Sequence, residues 1–170
     1  MRALAPEPTL GPITLSLLDE GERFVIRVFR RWVHGAVGDT GLHGRLLWQA
    51  LCDSLGEADA RPALTALSDV IRTVQRYARR RFAYHQPCCS GVTLDEVAVC
   101  RLLAACQHRR LELARRHALW LVHADGVGDL LDAACSLAAT LRRHGMVLPV
   151  WSAPGGASLS RLRPGHPVPV

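Results

Sequence analysis

The chain contains no lysine and no asparagine, so all 21 of its basic residues are arginine. Exclusive use of arginine is typical of GC-rich coding, and the net charge of +6 is therefore weak evidence for a nucleic-acid partner. Aromatic residues make up 5% of the chain, while hydrophobic residues make up 49% and are mainly Leu, Ala and Val. Leu and Ala favour helices when they recur in long periodic runs. The composition therefore predicts an all-α protein.

Long apolar runs are also missing. No uncharged apolar stretch approaches the roughly 18 to 20 residues that a membrane-spanning helix needs, and prolines interrupt the first residues where a signal peptide would be apolar. We therefore expect a cytoplasmic protein without a membrane partner. In that compartment cysteines stay reduced, and no disulfide framework is expected. The cysteines are Cys52, Cys88, Cys89, Cys100, Cys106 and Cys135.

Apolar residues recur at helical spacing in six stretches. The predicted helices cover residues 16–34, 42–55, 60–83, 94–107, 111–123 and 128–144. Asp59 is placed to cap the third helix, Thr93 and Glu96 have the spacing of a capping box, and Gly145 follows the sixth helix as a C′ residue.

These stretches predict an irregular bundle of five or six helices in one domain over residues 15–150. The segment 146–151, "MVLPVW", is expected to fold back on the bundle in an extended form. Flexible tails are expected at 1–14, which is rich in Pro, and at 151–170, where Pro, Gly and Ser dominate.

The segment "YHQPCCSGVTLDE" (84–96) places a histidine and two adjacent cysteines before the capping box. His85 and Cys88 have the short spacing that zinc ligands often show, so His85, Cys88 and Cys89 are candidate zinc ligands. A second pair of ligands is not evident, because Cys100 and Cys106 are six residues apart on a helix and lie on different sides of it.

Two other interpretations of these cysteines stay open. Pro87 and Gly91 fit a turn beneath which cysteines pack as small apolar side chains. A thiol near the start of a helix can also be activated, because the helix dipole lowers its pKa. Cys88 or Cys89 is therefore an alternative candidate for thiol redox sensing.

Arginines form a second pattern, on the first helix and in "RYARRR" (76–81). Many of the arginines near helix ends are explained by the helix dipole, but this run exceeds what capping needs. The candidate macromolecule-binding residues are Arg23, Arg27, Arg30, Arg76, Arg79 and Arg80. They fit an acidic protein or a nucleic acid. Trp32, Trp48 and Trp120 are expected in the core.

Sequence motifs of several enzyme classes are missing, including G-x-S-x-G, the Walker loop, H-E-x-x-H and a Rossmann glycine pattern. The segment "GERFVIRVFRRW" (21–32), together with a Cys followed by "VTLDE" (92–96) and a helical tail rich in Leu and Ala, resembles small helical proteins of GC-rich proteobacteria whose function is not assigned. The resemblance covers residues 16–148 and implies a helical domain, without an activity, a cofactor or a functional residue.

The sequence thus favours a non-enzymatic interaction or regulatory protein that binds another macromolecule, with another protein as the expected partner. The first alternative is a zinc or thiol site at His85, Cys88 and Cys89, and the second is nucleic-acid binding through arginine-rich helix faces. The oligomeric state is left open.

Overall fold

The computed structural model describes residues 13–37 and 41–150, and this part of the chain forms five α-helices. They are α1 Glu20–Val37, α2 Leu42–Tyr77, α3 Leu94–Gln107, α4 Leu111–Leu121 and α5 Val127–Arg143. Short 3-10 turns at Leu15–Leu17 and Ala124–Gly126 precede α1 and α5. The predicted all-α, single-domain bundle is confirmed. The predicted flexible tails fall outside the described residues at 1–12 and 151–170, whereas residues 13 and 14 of the predicted N-terminal tail pair with the loop before α3.

Helix α3 is the centre of the bundle. Every residue of α3 except Leu94 and Arg101 is buried, as expected for a helix that is apolar nearly all round. Helices α1, α4 and α5 pack against it, and α2 packs on α1 and α5. The start of α3 therefore lies where several chain segments converge.

Helix α1 begins four residues later than predicted. The Asp19 carboxylate accepts a hydrogen bond from the Glu22 amide at 2.8 Å, and the Glu22 carboxylate accepts one from the Asp19 amide at 3.1 Å. This reciprocal arrangement caps the helix at Asp19. The preceding residues pair with the loop before α3: the Leu15 amide donates to the Ser90 carbonyl, and the Val92 amide donates to the Ile13 carbonyl, both at 2.8 Å.

Helix α2 joins the second and third predicted helices across a kink at Gly56. Its φ of 71° and ψ of 157° lie outside the helical region, and glycine adopts a positive φ without steric cost. Asp59 does not serve as the predicted cap. Its carboxylate instead accepts from the Arg143 guanidinium at 2.9 Å and lies 2.7 Å from Nε2 of His144, which fastens α2 to the end of α5.

The predicted end of this helix at residue 83 is wrong, because α2 stops at Tyr77. Ala78 forms an antiparallel bridge with Val122. The His123 amide donates to the Tyr77 carbonyl at 2.9 Å, and the Arg79 amide donates to the Leu121 carbonyl at 3.3 Å. Pairing with a segment more than forty residues away therefore replaces the last helical turn.

The chain after α5 returns along the bundle, as predicted for residues 146–150. Gly145 has a φ of 75°, the left-handed conformation that ends many helices. The side chain of Gln107 then holds the returning backbone: its amide donates to the Met146 carbonyl at 2.8 Å, and its oxygen accepts from the Leu148 amide at 2.7 Å. The Leu148 side chain is fully buried.

Candidate functional site

Two adjacent carboxylates at the start of α3, Asp95 and Glu96, organise the segment between α2 and α3. The predicted capping box is present: the Glu96 amide donates to the Thr93 hydroxyl at 3.1 Å, and the Thr93 amide donates to the Glu96 carboxylate at 2.9 Å. Both carboxylates are nevertheless buried, at 2% and 1% exposure. Each is paired with an arginine from another helix or its extension.

Glu96 is paired with Arg30 of α1 in the interior of the protein. The guanidinium donates from Nε to Oε1 at 2.6 Å and from Nη2 to Oε2 at 2.9 Å, a bidentate geometry. It also donates to the carbonyl oxygens of Cys89 at 2.7 Å and Gly91 at 2.6 Å. Arg30 thus holds the cysteine loop, the name used here for residues 84–92, onto the start of α3.

The prediction that Arg30 belongs to an exposed basic surface is wrong, because its relative exposure is 0%. The burial of Arg30 could have been predicted from the residue spacing along α1. Glu22, Ile26 and Arg30 follow one another at a spacing of four residues, and all three are buried. Arg30 therefore continues the apolar side of α1, where only its pairing with a buried carboxylate makes a charge tolerable.

The three candidate zinc ligands lie together in the cysteine loop without forming a complete metal site. Cys88 is exposed, whereas His85 and Cys89 are partly buried. A Cβ placed on Gly91 would lie 3.1 Å from His85 Nε2 and 3.6 Å from Cys89 Sγ, so these two groups flank Gly91. Across residues 13–37 and 41–150, no three His, Cys, Asp or Glu side chains are grouped closely enough to hold a metal ion.

The cysteines of α3 do not complete the loop site. Cys100 and Cys106 are buried in the core. Burial raises the pKa of the Cys100 thiol well above its usual range, and the carboxylates of Glu22 and Glu96 add to this shift. A thiol in that state is a poor metal ligand and a poor nucleophile. The zinc and thiol hypotheses for the cysteine loop stay predictions that rest on His85, Cys88 and Cys89.

Asp95 is paired with Arg80, which lies beyond the end of α2. The guanidinium donates to both carboxylate oxygens, at 2.6 and 2.5 Å, and the Ala83 amide donates to one of them at 2.8 Å. The Arg80 guanidinium lowers the pKa of Asp95; burial opposes this shift and the Ala83 amide adds to it. This pair fixes the backbone of "RYARRR" against α3.

Trp120 of α4 lies beside this ion pair. The prediction that Trp120 belongs to the core is wrong. Its side chain is 53% exposed, and the Arg80 guanidinium lies 5.3 Å from the centre of its ring, within cation–π range. Trp32 and Trp48, in contrast, pack against the core. The buried residues of α4 are Ala114, Ala118 and Leu121. Trp120 lies off this stripe.

Trp120, the exposed arginines of the segment 76–81 and Arg116 are together called here the Trp120–arginine surface. Arg79 donates to the Leu119 carbonyl at 2.9 Å, which brings the end of α2 against the end of α4. Arg116 is one helical turn before Trp120 on the same face of α4. The members of the surface are Trp120, Arg76, Arg79, Arg80, Arg81 and Arg116, all exposed.

The six predicted macromolecule-binding arginines therefore have four different environments. Arg76, Arg79 and Arg80 are exposed and lie on the Trp120–arginine surface. Arg27 is exposed on α1, and Arg23 on the same helix is partly buried and donates to the Leu18 carbonyl at 2.7 Å. Arg30 is in the interior. Trp120, Arg81 and Arg116 are the members that were not among the residues selected from the sequence.

Among the helices of the described ranges, none combines the length and the apolar character needed to cross a membrane. Comparison of the chain with protein-family models, with curated protein sequences and with solved structures finds no match. What the chain does must therefore be inferred from its own surfaces.

Proposed function

We propose that this protein is a non-enzymatic interaction protein that binds an acidic segment of a partner protein through the Trp120–arginine surface. The observation that carries the proposal is an exposed tryptophan held in place by an arginine that is itself fixed by a buried carboxylate. Trp and Arg are the residue types that most often dominate binding energy at protein interfaces. A location in the cytoplasm and a regulatory role are part of the same proposal.

The surface is organised before a partner arrives. Arg80 is fixed by two hydrogen bonds to Asp95 and lies within cation–π range of Trp120, and Arg79 is fixed by its bond to the Leu119 carbonyl. Ordering flexible side chains on binding costs about 0.5–1.5 kcal/mol each. Side chains that are already ordered in the free protein avoid part of this cost, which favours specific recognition.

The charge of the surface favours an acidic partner with one apolar anchor. Arg76, Arg79 and Arg81 are exposed and lie close to Arg80 in the sequence, and their positive potential attracts carboxylates. A nucleic acid is the second candidate, since arginines contact phosphates and an aromatic ring can stack on a base. The protein partner is favoured because this surface presents a single aromatic ring, whereas proteins that bind single strands stack successive bases on several aromatic side chains.

The proposal is tested by selecting binders from a library of short random peptides on the immobilised full chain. We expect enrichment of peptides that combine Asp or Glu with an apolar residue. Trp120→Ala should weaken the selected peptides by about 30-fold, the effect of losing about 2 kcal/mol at a hot spot. Leu17→Ala removes another exposed apolar side chain outside the surface and serves as the matched control.

Two results would contradict the proposal. The first is enrichment of peptides whose affinity is unchanged by Trp120→Ala. The second is an absence of peptide enrichment combined with tight binding of a DNA or RNA oligonucleotide that weakens steeply as salt is raised, which is the signature of phosphate contacts.

A further inference from the structure

Histidines from two helices meet where α1 and α2 cross. The crossing is close at Gly35: a Cβ there would lie 3.2 Å from the Gly44 amide nitrogen and 3.6 Å from Cβ of His43. This approach places the rings of His34 and His43 side by side, with their centres 5.6 Å apart and their planes at 50°.

One nitrogen of each ring is buried without a hydrogen-bond partner among the described residues. These atoms are Nε2 of His34 and Nδ1 of His43. Buried polar atoms in proteins are nearly always paired with the protein, with water or with an ion, and an unpaired one asks for an explanation. Two such atoms on neighbouring imidazoles point to a ligand that accepts electron pairs from both.

We propose that His34 and His43 bind one divalent transition-metal ion between them, with zinc, copper and nickel as the class that imidazole prefers. Ring centres 5.6 Å apart allow one nitrogen of each ring to contact a shared ion at about 2.0–2.1 Å. Two protein ligands leave the other coordination positions to water or to a group from a partner. The site is distinct from the cysteine loop and does not depend on the proposed function.

Tyr84, the first residue of the cysteine loop, packs against one side of this site. Its ring contacts the His34 ring edge-on, with centres 5.9 Å apart, and its side chain is 42% exposed. Packing against Tyr84 restricts the orientation of His34, as groups next to metal ligands commonly do. His34 and His43 are only partly buried as residues, which together with the exposure of Tyr84 places the site near the surface.

The test is titration of the metal-free, untagged full chain with Zn²⁺ by calorimetry and with Co²⁺ by visible spectroscopy. We expect about one ion per chain. His34→Gln and His43→Gln should each weaken Zn²⁺ by about 10-fold or more, since even changes next to metal ligands cost 10- to 100-fold. His123→Gln, at an exposed histidine, and the double variant Cys88→Ser/Cys89→Ser are controls that should bind as the unmodified chain does.

Several results would overturn the proposal. One is a Zn²⁺ affinity that is unchanged in both histidine variants. Another is loss of binding in the double cysteine variant, with a thiolate-to-cobalt charge-transfer band in the unmodified chain, which would assign the metal to the cysteine loop. If a histidine variant fails to fold, nitrogen NMR of the unmodified chain decides: Zn²⁺ must shift the His34 and His43 ring signals, and shifts confined to other histidines would refute the site.

Discussion

At the scale of single residues, the molecule depends most on the buried pair of Arg30 and Glu96. A guanidinium and a carboxylate with almost no exposure satisfy each other, and the remaining donors of Arg30 are used by loop carbonyl oxygens. Such a pair need not be more stable than an apolar alternative, but removal of one partner leaves an uncompensated charge in the interior. The Arg30–Glu96 pair holds the cysteine loop against α1 and α3.

Arg30→Met should therefore lower the free energy of unfolding by about 3–5 kcal/mol, since the Glu96 charge and two loop carbonyls lose their partner. Chemical denaturation measures this difference. Arg27→Met changes an exposed arginine of the same helix and should stay within about 0.5 kcal/mol of the unmodified chain. Faster labelling of Cys89 in Arg30→Met is a second expected effect. Equal stability of the two variants would contradict the account.

Local sequence signals predicted some of these residues and missed others. The capping box of Thr93 and Glu96 is local, and it was predicted correctly. The ion pair joins residues 66 positions apart. The sequence of either helix alone therefore could not identify Glu96 as the partner of Arg30. The exposure of Trp120 was missed for a similar reason, because an aromatic residue is usually buried and only the packing of α4 places it outside.

At the scale of helices, the ends of α2 and α4 are defined by contacts between segments distant in sequence. Periodicity placed the helices correctly in the interior of each element, but it extended α2 past Tyr77, where pairing of Ala78 with Val122 takes over. Asp95 reinforces this connection, since it binds both Arg80 and the Ala83 amide. Two predictions concern this junction.

The first concerns Gly126, which precedes α5 and lies against Tyr77. A Cβ at Gly126 would come within 2.6 Å of Cβ and Cγ of Tyr77, a contact that cannot be relieved without moving the end of α2. Gly126→Ala should lower the free energy of unfolding by about 1–3 kcal/mol, the usual cost of overpacking.

Gly128 is the matched control for this substitution, because a Cβ there meets nothing within 4 Å and the residue is helical. Gly128→Ala should raise stability by about 0.5–1 kcal/mol, since alanine favours the helix over glycine. The melting temperatures of the two variants should move in opposite directions. A stabilised Gly126→Ala would show that the junction is not packed as described.

The second concerns the pH dependence of the Asp95 ion pair. The pKa of Asp95 is lower in the folded protein than in the unfolded chain, where an aspartate has a pKa of about 3.9. The pair therefore contributes stability above that pH and loses it as the pH falls through the folded pKa. The unmodified chain should be more stable than Asp95→Asn near pH 6, and the difference should shrink as the pH falls below about 4.

Thermal unfolding across this pH range measures the difference between the two chains. Asp132→Asn, at an exposed aspartate of α5, serves as the control and should melt in parallel with the unmodified chain. A difference between the unmodified chain and Asp95→Asn that stays constant with pH would show that the Asp95 charge does not stabilise the fold.

At the scale of the whole molecule, two ion pairs with buried carboxylates join the start of α3 to α1 and to the end of α2, and the Arg80 of one of them lies beside an exposed tryptophan. The fold class followed from composition and periodicity, because a Leu- and Ala-rich chain with helical spacing has few other ways to bury its apolar side chains. The Trp120–arginine surface could not be predicted from composition and periodicity. Arg76, Arg79 and Arg80 were selected from a run of charge, whereas the Trp120 ring became visible only through its contact with Arg80.

The most direct test of the central claim is an NMR titration of the labelled full chain with an acidic peptide from the selection. The account predicts that the indole signal of Trp120 and the guanidinium signals of Arg79 and Arg80 shift first and saturate together. Shifts confined to the acidic groove between α2 and α5, which is lined by Asp69, Asp129 and Asp132, with an unchanged Trp120 signal would contradict it.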